Sequence, residues 1–140
     1  MPKLSFLLPC RTFSNDAETG ALTIVELLDQ VTVNLPSGTN PNGEGVIPAP
    51  WAVVNLWIAE PQDHGKAFEQ RLTLVTPSGT TLMENNNRFD LTALKHRMTL
   101  RVNGFPIAGQ GVYRLRIEYR TLPGTGWTDA GEYPIDVRIS

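Results

Sequence analysis

The sequence predicts an all-β fold, a two-layer antiparallel sandwich, and three observations carry that expectation. From Tyr113 to Arg120 every odd position is apolar or aromatic and every even one is charged. That period of two belongs to a strand with one buried and one wet face. The same alternation returns at Tyr133, Ile135, Val137 and Ile139, at Met98, Leu100 and Val102, and at Leu72 and Leu74. Strands with one apolar face require a second layer to cover it. Finally, 12 glycines and 11 prolines in 140 residues leave little room for long helices.

One domain spanning residues 1–140 is expected at this length. A chain of this size hides roughly two-thirds of the surface its unfolded form exposes, so it needs no metal or disulfide to stay folded.

Taken in order, Leu4 to Leu8 is apolar on both faces and reads as part of the first strand, its apolar run ending at Pro9. The stretch Ala21 to Val33 is ambiguous at its start, because Ile24, Leu27 and Leu28 fall at helical spacing. Its β-branched content and the Val31/Val33 alternation favour a strand. Ser37 to Gly45 holds no apolar residue to anchor it and reads as a loop. Ala52 to Ala59 is apolar on both faces and reads as a central strand. Thr76-Pro77-Ser78-Gly79-Thr80 joins Leu72–Val75 to Thr81–Met83 as a hairpin, since Pro presets φ and Gly supplies positive φ. Asn85 to Leu94 is expected to hold the one short helix, near residues 88–95 and capped near Asp90. Turns follow at Asn103-Gly104 and Pro123 to Gly126. In the last strand Pro134 lacks an N–H, which marks an edge or a strand start. The segment Gly131 to Ser140 is therefore the expected edge for pairing with a second copy.

Charge excludes some partners. Twelve basic and 14 acidic residues give a net charge of −2, with no cationic cluster. Nucleic-acid binding needs several cations on one face, so no nucleic acid is expected. An anionic membrane surface is disfavoured for the same reason, and no apolar run approaches a spanning helix. Cys10 is the lone cysteine, so no internal disulfide is available, which favours a reducing, cytoplasmic setting. The apolar stretch before Pro9 is too short for a signal peptide, and Leu7-Leu8-Pro9-Cys10 fails as a lipoprotein signal for the same reason.

Candidate chemistry is sparse. Cys10 with His64 or His96 would make a nucleophile pair, but no third group stands at a recognisable spacing. Cys10 reads instead as a small buried hydrophobe. Glu60, Asp63 and His64 fall short of a zinc site. Asn15 to Glu18, and Asp129 with Glu132, fall short of the oxygen count calcium needs. The glycines from Gly104 to Gly111 lack the lysine and helix of a phosphate loop, and no serine sits in a nucleophile elbow. No metal, no cofactor and no enzymatic activity are expected.

Of the tryptophans, Trp57 lies inside the central strand and reads as core. Trp51 follows Pro48-Ala49-Pro50 and Trp127 follows a Gly-rich turn, so each is a candidate for an exposed ligand-binding residue, for a protein or a sugar. The competing reading has them capping the ends of the core. Trp51, Trp127 and the Ser37–Gly45 loop form the expected contact region.

Two stretches carry a resemblance: Ala21 to Val25 continuing to Val31-Thr32-Val33, and Phe105-Pro106-Ile107 followed by Gly111 to Ile117. They resemble small bacterial proteins of uncharacterised function built as one Ig-like β-sandwich. The spacing of Gly111 and Tyr113 is also similar to the tyrosine that begins a strand in Ig-like domains. The resemblance implies an Ig-like or C2-like sandwich in a bacterial or phage context, and it supplies no site residues.

The functional expectation is a non-enzymatic protein-interaction or binding module with an unidentified protein partner. The alternative is a structural subunit, as a homo-oligomer or part of a phage or secretion particle. A small-ligand or sugar-binding sandwich is the third reading.

Overall fold

The alternation from Tyr113 to Arg120 resolves into two faces. Tyr113, Leu115, Ile117 and Tyr119 are buried, and the residues between them face outward. This strand is the centre of a five-stranded sheet. A computed structural model describes residues 1–140 and shows eleven strands. They are β1 (Lys3–Asn15), β2 (Leu22–Leu27), β3 (Gln30–Val33), β4 (Glu44–Ile47), β5 (Trp51–Ile58), β6 (Ala67–Val75), β7 (Thr81–Asp90), β8 (Lys95–Val102), β9 (Phe105–Ala108), β10 (Gly111–Thr121) and β11 (Thr128–Ile139). One sheet has the order β2-β1-β5-β8, the other β3-β11-β10-β6-β7, and β4 pairs with β9 as a separate ribbon.

The two large sheets pack face to face in a sandwich-like arrangement. Leu7, Trp51, Val53 and Trp57 of one sheet join Phe68, Leu72, Leu115, Ile117 and Ile135 of the other in a single apolar core. Trp57 anchors the aromatic part. Its ring lies 5.4 Å from both Phe89, stacked, and Tyr119, edge-on, and Phe89 in turn stacks on Phe68 at 5.5 Å. Each such pair adds about 0.5–1.5 kcal/mol beyond its buried area.

Strand β5 is apolar on both faces for a stated reason. Trp51, Val53 and Trp57 face the inter-sheet core, whereas Ala52 and Val54 join Cys10 and Phe13 in a second cluster on the other side. The four-stranded sheet curls there, and β8 ties the curl down. Arg97 Nη2 donates to Asn15 Oδ1 at 2.7 Å, and the Arg101 guanidinium lies 4.1 Å over the Phe13 ring.

The hairpin at Thr76 to Thr80 forms as expected. The Thr76 and Gly79 N–H groups donate to Thr80 and Thr76 carbonyls at 2.9 Å, with Gly79 at φ 93°.

Four expectations need correction. The helix near residues 88–95 does not form. Thr81–Asp90 is a strand, and a 3₁₀ turn at Pro61–Asp63 is the one helical piece. Tertiary packing overrides the local capping signal, because Phe89 must lie opposite Phe68 and under Trp57. The sandwich is also not wholly antiparallel, since β3 pairs with β11 in parallel.

The Ala21–Val33 stretch is two strands in different sheets. Glu26 adopts φ 53°, and Leu28 N–H donates to Pro9 O at 3.0 Å. Asp29 O then accepts the Asp136 N–H at 2.8 Å, so the chain crosses from one sheet to the other at this corner. The last strand is consequently not a free edge along its end, because Asp136 to Ile139 pair with Gln30 to Val33. Pro134 stands two residues before Asp136, so its missing N–H points toward the side where β3 has not yet begun.

Candidate binding cleft

The residues singled out by sequence occupy different ends of the molecule. Trp51 begins β5 beside Phe105, at 5.3 Å between rings, and Phe105 in turn neighbours Tyr113 at the start of β10. Trp127 packs at the far end of β10, where the guanidinium carbons of Arg71 and Arg120 lie 4.3 and 4.6 Å from its ring centre. Both arginines are engaged on the outer face of the five-stranded sheet, Arg71 with Glu118 at 3.0 Å and Arg120 with Glu69 at 2.9 Å. Trp127 is half-buried and Trp51 is buried at 3 % exposure. The structure therefore does not bring the two together.

It does bring Trp51 and the Ser37–Gly45 loop to one end. The loop runs into β4, and β4 leads through Pro48-Ala49-Pro50 to Trp51. Ile47 borders both the pocket under the loop and a larger cleft of about 780 Å³ beside Trp51. That cleft lies where the curled end of β1, the β2–β3 corner, the β4–β5 connection and the end of β8 meet. Its volume falls in the range of about 300–1,000 Å³ common for ligand sites.

The walls are mostly apolar. Leu28 and Val31 come from the corner, Ile47 to Trp51 from the proline-rich connection, and Val102 and Phe105 from the opposite side. The two prolines fix the connection and withhold two N–H donors. Trp51 backs the cleft from the core at 3 % exposure, with its Nε1–H donating to Gly104 O at 2.9 Å.

The polar lining is Arg11, Thr12, Arg101 and Asn103, so both charged side chains are cations and no carboxylate lines the cleft. Arg11 meets Glu26, which is not part of the lining, at 3.3 Å in an exposed pair. Arg101 makes a long 3.4 Å contact to Phe13 O and no ion pair.

The other candidate groups stand apart. Cys10 is fully buried opposite Ala52 in the second cluster, and burial pushes its thiol up despite the opposing charge of Arg101. His96 faces the inter-sheet side, stacked on Phe89 at 5.5 Å. His64 is exposed after the 3₁₀ turn. Asp63 is buried and accepts the Glu60 N–H at 2.8 Å, with the Met1 amino group 3.1 Å away. Asp16 accepts the N–H groups of Glu18 and Thr19 at 2.8 and 2.9 Å, which hold its carboxyl below the usual range. Asp129 pairs with Arg116 at 2.9 Å. No three His, Cys, Asp or Glu side chains converge as a metal-ligand group.

Sequence reasoning passed over one buried polar pair. Asn55 in β5 and Gln70 in β6 exchange amide hydrogen bonds of 2.9 and 3.2 Å between the sheets, and Gln70 Oε1 also accepts the Trp57 indole N–H at 2.8 Å. Both border a narrow polar pocket of about 210 Å³ between β7 and β8. A lone amide in an otherwise apolar strand was the available signal, since a buried amide requires a partner. Arg11 and Arg101 were likewise missed, because the curl that brings β1 to the end of β8 is not local in sequence.

No known family model matches the chain, and no curated protein matches it.

Proposed function

We propose that this chain is a non-enzymatic binding module and that the cleft beside Trp51 is where it binds. The observation that carries the reading is the cleft itself: about 780 Å³, apolar-walled and shaped by two prolines and a tied-down indole. Such walls suit the insertion of a flat apolar group from a ligand or from a partner protein. The Trp127 face is a weaker candidate, since its neighbouring arginines are held by Glu118 and Glu69.

The finer fold reading is Ig-like, in a bacterial or phage protein acting in the cytoplasm. The Ig-like part of that reading is supported by Tyr113, whose hydroxyl donates to Gly109 O at 2.6 Å and accepts the Ala108 N–H at 2.7 Å. A tyrosine bonding back a few residues upstream is a feature of that group of sandwiches.

Isothermal titration with 2-naphthamide, a neutral aromatic probe, tests the reading. Saturable binding that is abolished by Ala49→Arg and kept by Trp127→Ala is the expected result. Absence of binding, or equal binding by Ala49→Arg, would refute it.

A second reading, a self-associating structural subunit, is favoured by β2. That strand ends the four-stranded sheet and exposes Val25 at 40 % and Leu27 at 45 %. Light scattering behind size exclusion tests it: a concentration-independent monomer counts against it.

A further inference from the structure

We infer that the cleft selects anions, and that its natural ligand is a small-molecule carboxylate carrying a flat apolar body. The inference rests on the binding reading given above and specifies its ligand class.

Arg11 and Arg101 are the charged side chains of the cleft lining, and no acid stands among its walls to neutralise them. Arg71, Arg116, Arg120 and Arg138 each lie within 3.0 Å of a carboxylate, whereas Arg88, Arg97 and Arg114 have no ion-pair partner. Arg101 has no such partner, only the Phe13 ring at 4.1 Å and a carbonyl at 3.4 Å. The contact with Phe13 leaves most of its N–H donors free. A preorganised guanidinium fork is the group best matched to a carboxylate, which it binds through two parallel hydrogen bonds.

Arg11 is held less firmly. Its 3.3 Å contact to Glu26 joins two exposed side chains, 67 and 63 % accessible, so the pair is worth little and is readily exchanged. A ligand carboxylate entering the cleft competes with Glu26 for Arg11 and meets no competitor at Arg101. The body of the ligand then lies against Leu28, Val31, Pro48 and Pro50, the accessible apolar part of the lining, while Trp51 and Phe105, each 3 % exposed, back that wall from the core. Thr12 and Asn103 are the neutral polar side chains of the lining, so a sugar would leave most of its hydroxyls unpaired there, at the cost of burying unsatisfied polar groups.

The test compares 2-naphthoate with neutral 2-naphthamide by isothermal titration, in low and in high salt. The anion is expected to bind at least fivefold more tightly, an advantage that shrinks as salt rises. Arg101→Gln and Arg11→Gln should each remove most of that advantage, so that the affinities of the two probes converge. Glu26→Gln should strengthen naphthoate binding severalfold, since it removes the competitor for Arg11; a merely structural role for either arginine does not produce that gain. Equal affinity for the two probes, with no response to Glu26→Gln, would overturn the anion preference while leaving the cleft as a binding site. Failure of both probes to bind would overturn the preference and the binding reading together.

Discussion

Asn55 and Gln70 face each other between the two sheets and exchange two amide hydrogen bonds, while Trp57 donates a third to the same Gln70 oxygen. A buried amide finds its partner in one register only, so this pair fixes how β5 lies over β6, and apolar contacts alone would tolerate a slip. The two substitutions are not equivalent. Asn55→Leu leaves the Gln70 nitrogen without an acceptor but keeps the Trp57 bond. Gln70→Met strips partners from both ends of Asn55 and from the Trp57 indole. Each orphaned group costs about 1–3 kcal/mol, toward the low end where water reaches it through the adjoining pocket. Denaturant unfolding should therefore rank Gln70→Met as clearly the more destabilising. A reversed order would show that the amide pair does not hold the sheets as described.

Tyr133 gives the chain an alkaline limit. Its hydroxyl donates to the Asp29 carboxylate, and that bond, with burial and the nearby negative charge, pushes its pKa up to about 12. The folded state thus favours the neutral phenol. The stabilisation is fully present below the ordinary tyrosine pKa near 10 and is lost as pH rises through about 12. Asp29→Asn should return the Tyr133 ionisation toward 10, read as phenolate absorbance. An unchanged titration in that variant would contradict the assignment.

Cys10 should behave as an inert thiol. It has no exposed surface and its pKa is raised by burial, so both access and thiolate population are low. A thiol-specific chromogenic reagent at pH 8 should react with the native protein far more slowly than with the chain in guanidinium. Comparable rates in the two states would mean that the cluster under Phe13 opens freely.

The three tryptophans should differ in their contact with solvent. Trp57 and Trp51 are buried at 0 and 3 % exposure, and Trp127 is half-buried. Acrylamide should quench mainly one component of the emission, and Trp127→Phe should remove it. Persistence of that component in the variant would place Trp51 in the open.

The β architecture was legible wherever one face of a strand is wet, as in Tyr113 to Arg120, because alternation then marks both faces. It was also legible where turn chemistry is local, as at Pro77 and Gly79. It failed at Asn85 to Leu94, where a good helix cap at Asp90 lost to the demand of Phe89 for the Trp57 and Phe68 rings. It failed again at Glu26 to Asp29, where the corner depends on Pro9 and Asp136, far away in sequence. Trp51 stands out in the sequence as an aromatic after a proline-rich connection, but the structure buries it at 3 % exposure at the end of the core, where it borders the cleft. Arg11 and Arg101 were invisible because they are 90 positions apart and line one cleft only through the curl of β1. The pairing of Trp51 with Trp127 in one contact region assumed an end-to-end nearness that strand lengths do not encode.

The most direct test of the binding account is amide shift mapping by heteronuclear NMR during titration with 2-naphthoate. Saturable shifts concentrated at Leu28, Val31, Ala49, Asn103 and the Trp51 indole N–H, leaving Trp127 and its flanking arginines unmoved, are the predicted result. Shifts centred on Trp127, Arg71 and Arg120, or no saturable shifts anywhere, would contradict it.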